Sequence, residues 1–506
     1  MKKEIFITLL FFLFNFHFSQ VTISYDSSYG DAGKVFPFNN MDYSIMKVIQ
    51  TKDNNLIYIS RNKIFKTYLD GSFNKSFGTD GVLSVENTEY CYISDIVELT
   101  DENLIVIYQL SDSSFKDIKF YVKKISKNGI VDSTFNNNIG RREVILGSIL
   151  TDYARIIKII NNKILILGKG FHVSGSGSQI IMMQLNLNGD LDLNFGNSGK
   201  VYTSLFESDL GDVFLDKNNY LYLAYRSNNK SISIAKFDFN GNLFTAFGNN
   251  GITTVNVVSN YDDIFPQKIK LTNSGKIFIG CQISSQSSSY DPKIQIVKLN
   301  NNGLLDTSLN SSGFYAFNLV PNSWDYFRDI IVNEDESFHV IGYSSGFIPS
   351  FISGFITKNK KNGKLDFNFN GNGYHHTNFK EIDDSSFSGG IRQKDGKILL
   401  YGGSGFFNVT AGTVRIIDDT FLSIVDFNQY NKQSSIIYPN PVSNFLYIIN
   451  NSNKIKINDK YEIIDINGRI ILNGVIGNEY KIFIENLSKG VYFLVIKDYK
   501  EKFLKL

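Results

Sequence analysis

Seven short apolar runs, each entered from a polar turn, mark the chain between Val21 and about Tyr430. They are Asn55-Leu-Ile-Tyr-Ile59, Asn103-Leu-Ile-Val-Ile107, Lys163-Ile-Leu-Ile-Leu167, Tyr220-Leu-Tyr-Leu223, Lys276-Ile-Phe-Ile279, Ser337-Phe-His-Val-Ile341 and Lys397-Ile-Leu-Leu400. Their apolar residues are successive rather than alternating, which predicts strands buried on both faces. Helical periodicity is missing throughout. Small sheets sandwiched between like sheets around an axis would bury strands in this way.

A turn pattern interleaves with the runs. Its fullest copy is Leu187-Asn-Gly-Asp-Leu-Asp-Leu-Asn-Phe-Gly-Asn-Ser-Gly-Lys-Val201, and others begin at Leu69, Lys127, Phe239, Asn301 and Lys361. A half copy, Tyr25-Asp-Ser-Ser-Tyr-Gly-Asp-Ala-Gly33, comes first. The turn glycines 71, 129, 189, 241, 303 and 363 set a period of about 58 residues. Asn-Gly and Asp-Gly supply the positive φ of a tight turn. The Asp four residues before the Phe-Gly glycine (Asp192 before Gly196) can cap local N–H groups. Phe77, Phe135, Phe195, Phe247 and Phe369 recur at one place, as plugs between neighbouring units. Two copies depart from the pattern: Leu309-Asn310 stands for Phe-Gly, and Gly140 comes one residue late.

Each unit then reads as four strands. Strand a follows the Phe-Gly turn (Lys200–Tyr202), b is a looser apolar stretch (Ile156–Ile160), c is the buried run, and d (Ile180–Leu187) returns to the turn. The expected fold is all-β: a seven-bladed β-propeller over residues 20–430, with a solenoid or open array as the competing architecture. These residues resemble the delta-60 repeat family. That resemblance implies a β-propeller in a secreted bacterial protein and carries no catalytic residues to transfer.

Composition narrows the partners. Lys and Arg number 51 against 49 Asp and Glu, with no long basic run, so nucleic acid is not expected. The only cysteines, Cys91 and Cys281, fall in distant units and read as free buried thiols. Residues 1–19, with Lys2-Lys3 ahead of the apolar Ile5–Phe14, read as a secretory signal peptide.

After a linker at 431–437 the pattern changes to alternating strands, a small β-sandwich over 438–506. Tyr438-Pro439-Asn440-Pro441, the turn Asp465-Ile-Asn-Gly468-Arg469 and the strand Gly490-Val-Tyr492 stand in this order. The segment resembles the C-terminal sorting domain of the type IX secretion system of Bacteroidetes, which implies the secretion machinery as a partner and the outer surface or medium as destination.

Candidate chemistry sits in loops. The a–b and c–d loops should share one face of the propeller. The a–b loops pair an acid with an aromatic ring, as in Glu89-Tyr90, Asp152-Tyr153, Tyr261-Asp262 and Trp324-Asp325-Tyr326. Such pairs suit a sugar or a cation, or they fasten each blade to itself. The c–d loops vary in length and carry Phe347 and Phe351 in the sixth unit. The candidate ligand-binding set is therefore Trp324, Asp325, Tyr326, Phe347, Phe351, Tyr261 and Asp262. No catalytic motif stands out, so no catalytic residue, metal or cofactor is assigned. His339, His375 and His376 read as structural. Asp190-Leu-Asp-Leu-Asn194 reads as a turn, because an EF-hand would need a differently placed glycine and a distal Glu. The function expected is a monomeric, exported binding or adhesion module for a glycan or protein. A polysaccharide hydrolase or lyase, with its site at the channel mouth, is the competing class.

Overall fold

The repeated turn dictates how the strands meet, because it folds each chain segment straight back on the one before it. The computed structural model describes residues 23–36, 43–114, 117–147, 153–171, 178–206, 209–258, 261–285, 291–319, 323–346, 352–379, 384–405, 410–418, 437–448, 455–465, 469–497 and 499–506. The expected signal peptide lies outside them. Contacts divide the chain into residues 1–419 and 420–506.

The first unit is a β-propeller of seven antiparallel sheets. Blade 3 shows the plan: Tyr153–Ile160, Lys163–Phe171, Ser178–Asn186 and Lys200–Phe206 pair in that order. The strand after the Phe-Gly turn therefore belongs to the sheet before it, pairing Ile181 with Tyr202. The a-b-c-d reading was thus out of phase by one strand. The reason is local: the turn is a hairpin, and strand a finds its partner in strand d before any other edge is near.

That offset leaves the last blade one strand short at its outer edge. Ser24–Tyr25 and Lys34–Val35 fill the place, pairing Ser24 with Ile417 and Lys34 with Val414. The half copy at Tyr25–Gly33 is thus the seventh turn, carried at the other end of the chain. Blades 7 and 1 share a core in which Tyr29 packs with Val48, Leu56, Leu399 and Tyr401. Lys394 Nζ donates to Thr51 O at 2.8 Å across the same seam. The ring is closed, which excludes the open array.

Every other seam repeats the device. Phe77, Phe135, Phe195, Phe247, Leu309 and Phe369 are all buried, each in a cluster drawn from two adjacent blades. The residue after the plug reaches the next blade's turn: Gly78 N donates to Asn128 O at 2.8 Å, and Gly248 N to Asn302 O at 2.8 Å. A Cβ at Gly129 would lie 2.5 Å from Gly78 N, so this turn needs glycine for close approach as well as for its φ of 78°.

The last described propeller strand ends at Ile417, before the boundary at 430 that the repeats suggest. In the second unit, a three-stranded and a four-stranded sheet share one core that includes Leu446, Ile463, Ile482, Leu494 and Phe503. Asn440 ties the start of this unit to its final strand, donating to Lys502 O at 2.9 Å and accepting from Leu504 N at 3.0 Å. Asp465 holds its turn through Arg469 N and Nε, both at 2.9 Å. Tyr492 is buried, with its hydroxyl donating to Ser488 O. Gly490 opens the long strand, pairing with Lys505. Tyr438 pairs with Tyr447, Pro439 and Pro441 are exposed, and Gly468 lies outside the described residues.

Candidate functional site

The inner strands Lys47–Gln50, Cys91–Glu98, Tyr153–Ile160, Asp209–Leu215, Asp263–Leu271, Trp324–Val332 and Ser385–Arg392 surround the axis. In blades 2 to 7 the pairing of this strand slips by one residue at a common place. The extra residues are Ser94, Arg155, Gly211, Gln267, Arg328 and Ser388. A bulge bends its strand and re-aims its side chain. Arg328 Nη1 meets Gln267 Oε1 at 3.5 Å, so neighbouring bulges face one another around the channel.

Charges lie beside the bulges. Asp95, Asp212 and Asp329 each accept a backbone N–H from the next blade, from Ile157 at 3.0 Å, Ile269 at 3.1 Å and Gly390 at 3.3 Å. Lys47 donates to Asp95. Burial works to raise the Asp95 carboxyl, but Lys47 and Lys158 outweigh it and hold the group below the ordinary range. Burial likewise depresses Lys158, with Asp95 opposing. Burial would also lower Lys268, yet the pull of Asp212 and Asp329 leaves it raised. Lys270, Arg155 and Arg328 stand on the same inner strands, which together carry basic and acidic side chains in equal number.

The strand ends that the a–b and c–d links join lie at one end of the sheet: Tyr153 at the start of the inner strand of blade 3 pairs with Lys169 near the end of the second. At this end a cavity of about 420 Å³ is lined by Tyr153, Arg155, Gly168, Lys169, Asp209, Leu210 and Phe265. Tyr153 is 52% exposed, its ring edge-on to buried Phe120. Lys169 Nζ pairs with Asp209 at 2.8 Å.

The expected site residues divide between surface and interior. Trp324 is 46% exposed, and Tyr326 stacks on Tyr343 with ring centroids 4.7 Å apart. Asp325, between them in a strand, points inward and is fully buried. It accepts from Leu319 N, Ser323 Oγ and Ser344 Oγ, and burial raises its carboxyl. The acid of this pair therefore fastens its own blade while the rings face out, because strand neighbours point to opposite sides. The Tyr261 hydroxyl donates to Asp291 at 3.1 Å, and Asp262 N bonds Ser284 O. Phe347 and Phe351 lie outside the described residues.

The histidines sit in structural settings. His339 is buried, with Nδ1 2.9 Å from Thr357 O and Nε2 3.1 Å from Asp418, whose carboxylate Lys358 also meets at 2.9 Å. His375 lies 3.2 Å from the Tyr25 hydroxyl, and His376 packs against Tyr374 and Phe355. Cys91 and Cys281 are free and buried. Among the described residues no group of three or more His, Cys, Asp or Glu side chains is placed to hold a metal ion.

Arg155, Arg328, Gln267 and the channel charges escaped the sequence reading. One signal was present. Gly168, Gly342 and Gly402 each follow a buried run, and a Cβ there would lie 2.2, 2.0 and 2.1 Å from the carbonyl oxygens of Tyr153, Tyr326 and Ser386. Those carbonyls flank the bulges, so the glycines mark them.

Residues 436–505 match the secretion system C-terminal sorting domain family, and residues 161–195 match a β-propeller domain of unknown function, DUF5122. No curated protein matches the sequence. Similar solved structures include domains 1–2 of Drosophila Semaphorin 1a, at 10% identity over 77% of this chain and 88% of that one, with a TM-score of 0.41. The β-propeller domain of the Trilobed protease from Pyrococcus furiosus, described as having an open velcro topology, is 9% identical over 82% and 96%, at 0.33. The aldose sugar dehydrogenase of Streptomyces coelicolor is 9% identical over 61% and 91%, at 0.36. At such scores nothing of those proteins' ligands or chemistry transfers. The chain is a β-propeller followed by a C-terminal sorting domain, the signal by which the type IX secretion system exports its cargo to the cell surface or beyond.

Proposed function

We propose that the propeller is a non-enzymatic binding module, displayed at or released from the cell surface, that takes a glycan or a surface protein. Its working surface is the face bearing the a–b and c–d links. The observation that supports this most is the exposure of Tyr153 and Trp324 on the strands that ring the channel mouth. Aromatic rings on a rigid frame offer flat contact area at little entropic cost, and tryptophan is a common energetic centre of binding surfaces. The domain limits proposed are 20–430 for the propeller and 438–506 for the sorting domain, with a leader at 1–19.

The test is Trp324→Ala with Tyr326→Ala, assayed on a glycan array and on a cell-surface extract. The melting curve is expected to fall little and binding to be lost. A large fall in melting temperature would make these rings blade packing. Turnover of a polysaccharide panel by the parent, abolished by Asp262→Asn, would make the propeller an enzyme.

A further inference from the structure

The cavity spanning blades 3 to 5 differs in kind from the Trp324 strand of blade 6. Its wall carries a guanidinium that a bulge turns toward the channel mouth. Arg155 is exposed, and its one hydrogen bond within the cavity wall is a long one, from Nη1 to Leu210 O at 3.5 Å. Among the described residues no carboxylate pairs with it, and its fork of donors fits a planar or tetrahedral oxyanion. Lys169 is neutralised by Asp209 beside it, so the cavity keeps a net positive charge. In the channel below, Lys158, Lys268 and Lys270 are matched in number by Asp95, Asp212 and Asp329, so the positive charge of the cavity is its own.

Two rings complete the cavity. Tyr153 offers half its surface, braced from behind by Phe120, and Phe265 stands on the inner strand of blade 5. Gly168 lies in the second strand of blade 3, where any side chain would strike Tyr153 O, so this part of the wall stays low. At about 420 Å³ the space is at the small end of ligand pockets and accepts a sugar residue rather than a folded protein surface.

We infer that this cavity is a subsite for an acidic sugar, whose ring lies against Tyr153 and Phe265 while Arg155 holds its anionic group. The inference rests on the reading that this face binds glycan and adds the charge of the residue it prefers. A carboxylate and a sulfate would both satisfy the fork, and the assay separates them.

The experiment is calorimetric titration of the whole exported chain with three sets of oligosaccharides. One contains oligomers of galacturonate and glucuronate, one contains sulfated galactose oligomers, and one contains carboxyl-reduced, unsulfated counterparts. At least one acidic set is expected to bind at least tenfold more tightly than its neutral counterpart. Added salt should weaken that binding, and Arg155→Gln should remove the preference. Tyr153→Ala should weaken acidic and neutral forms alike. The set that binds identifies carboxylate or sulfate as the ligand's anion. Equal binding of acidic and neutral sugars, or an unchanged preference in Arg155→Gln, overturns the subsite and leaves the binding face standing. Failure of every acidic sugar to bind also overturns it. In that case the Trp324 variant on surface extract reports separately on whether the face binds anything.

Discussion

At the scale of single residues, the plug is the most legible feature of the chain. Five phenylalanines at one register position could be read as seam fillers without coordinates, and Tyr29 and Leu309 occupy the two remaining seams. The departures from Phe-Gly were legible only as irregularities. Their explanation is conformational: Gly78, Gly196 and Gly248 have φ near 55°, and Asn136, Asn310 and Asn370 hold φ of 57°, 49° and 52° in the same place. Asparagine is the residue other than glycine that visits this region most readily. Phe195→Ala is expected to cost roughly 3–5 kcal/mol in a denaturant titration, as buried ring truncations do. Phe195→Leu should be much milder, since Leu309 already serves at one seam. Equal tolerance of both would show that the ring is not a plug. A pH effect belongs to this scale as well. Burial lowers His375 and His376 to about 4 each, so both stay neutral in the folded protein while the unfolded chain takes up protons near 6.5. Their contribution is complete above pH 6.5 and is lost as pH falls toward 4. Melting temperatures measured from pH 7 to pH 4 should drop across that window, and less steeply in His376→Phe.

At the scale of elements, strand existence was readable and strand partnership was not. Apolar runs reveal burial on both faces, but nothing in Lys200–Tyr202 says which of two sheets it joins. The hairpin settles that by proximity. The bulges were hidden for a related reason: one extra residue leaves no composition signal of its own, only a glycine on the facing strand. The same phase shift makes the closing strands at Ser24–Val35 the most consequential short element. Removing them takes away Tyr29, whose hydroxyl bonds Thr413 at 2.6 Å, and Asp26, which Arg415 meets at 2.6 Å. A chain starting after Val35 is expected to melt earlier. Hydrogen exchange should be fast in Ile398–Ser404 and Thr410–Ile417 while Tyr153–Ile160 stays protected. Uniform protection across all blades would show that the closure is dispensable.

At the scale of the whole molecule, two bodies with separate cores share one chain, and the destination was readable because the sorting segment is written in turn residues with fixed order. The channel charges were not readable, since they are assembled from strands about sixty residues apart. Deleting Ile437–Leu506 should leave a folded propeller that stays in the periplasm, as followed by fractionation and a melting curve. Normal yield in the medium would show that the segment is not the export signal. The closure also has a consequence in time. Tyr29 and Thr413 stand 384 residues apart, so the first strand made must wait for nearly the whole repeat array before its partner exists. Until then both ends of the array present bare strand edges, the surfaces on which chains most readily stick to one another. Long-range pairing of this sort is slow to form. A cell making this protein therefore has to shelter a long unfinished intermediate, and crowding or heat during synthesis should penalise its yield far more than the stability of the finished ring would suggest.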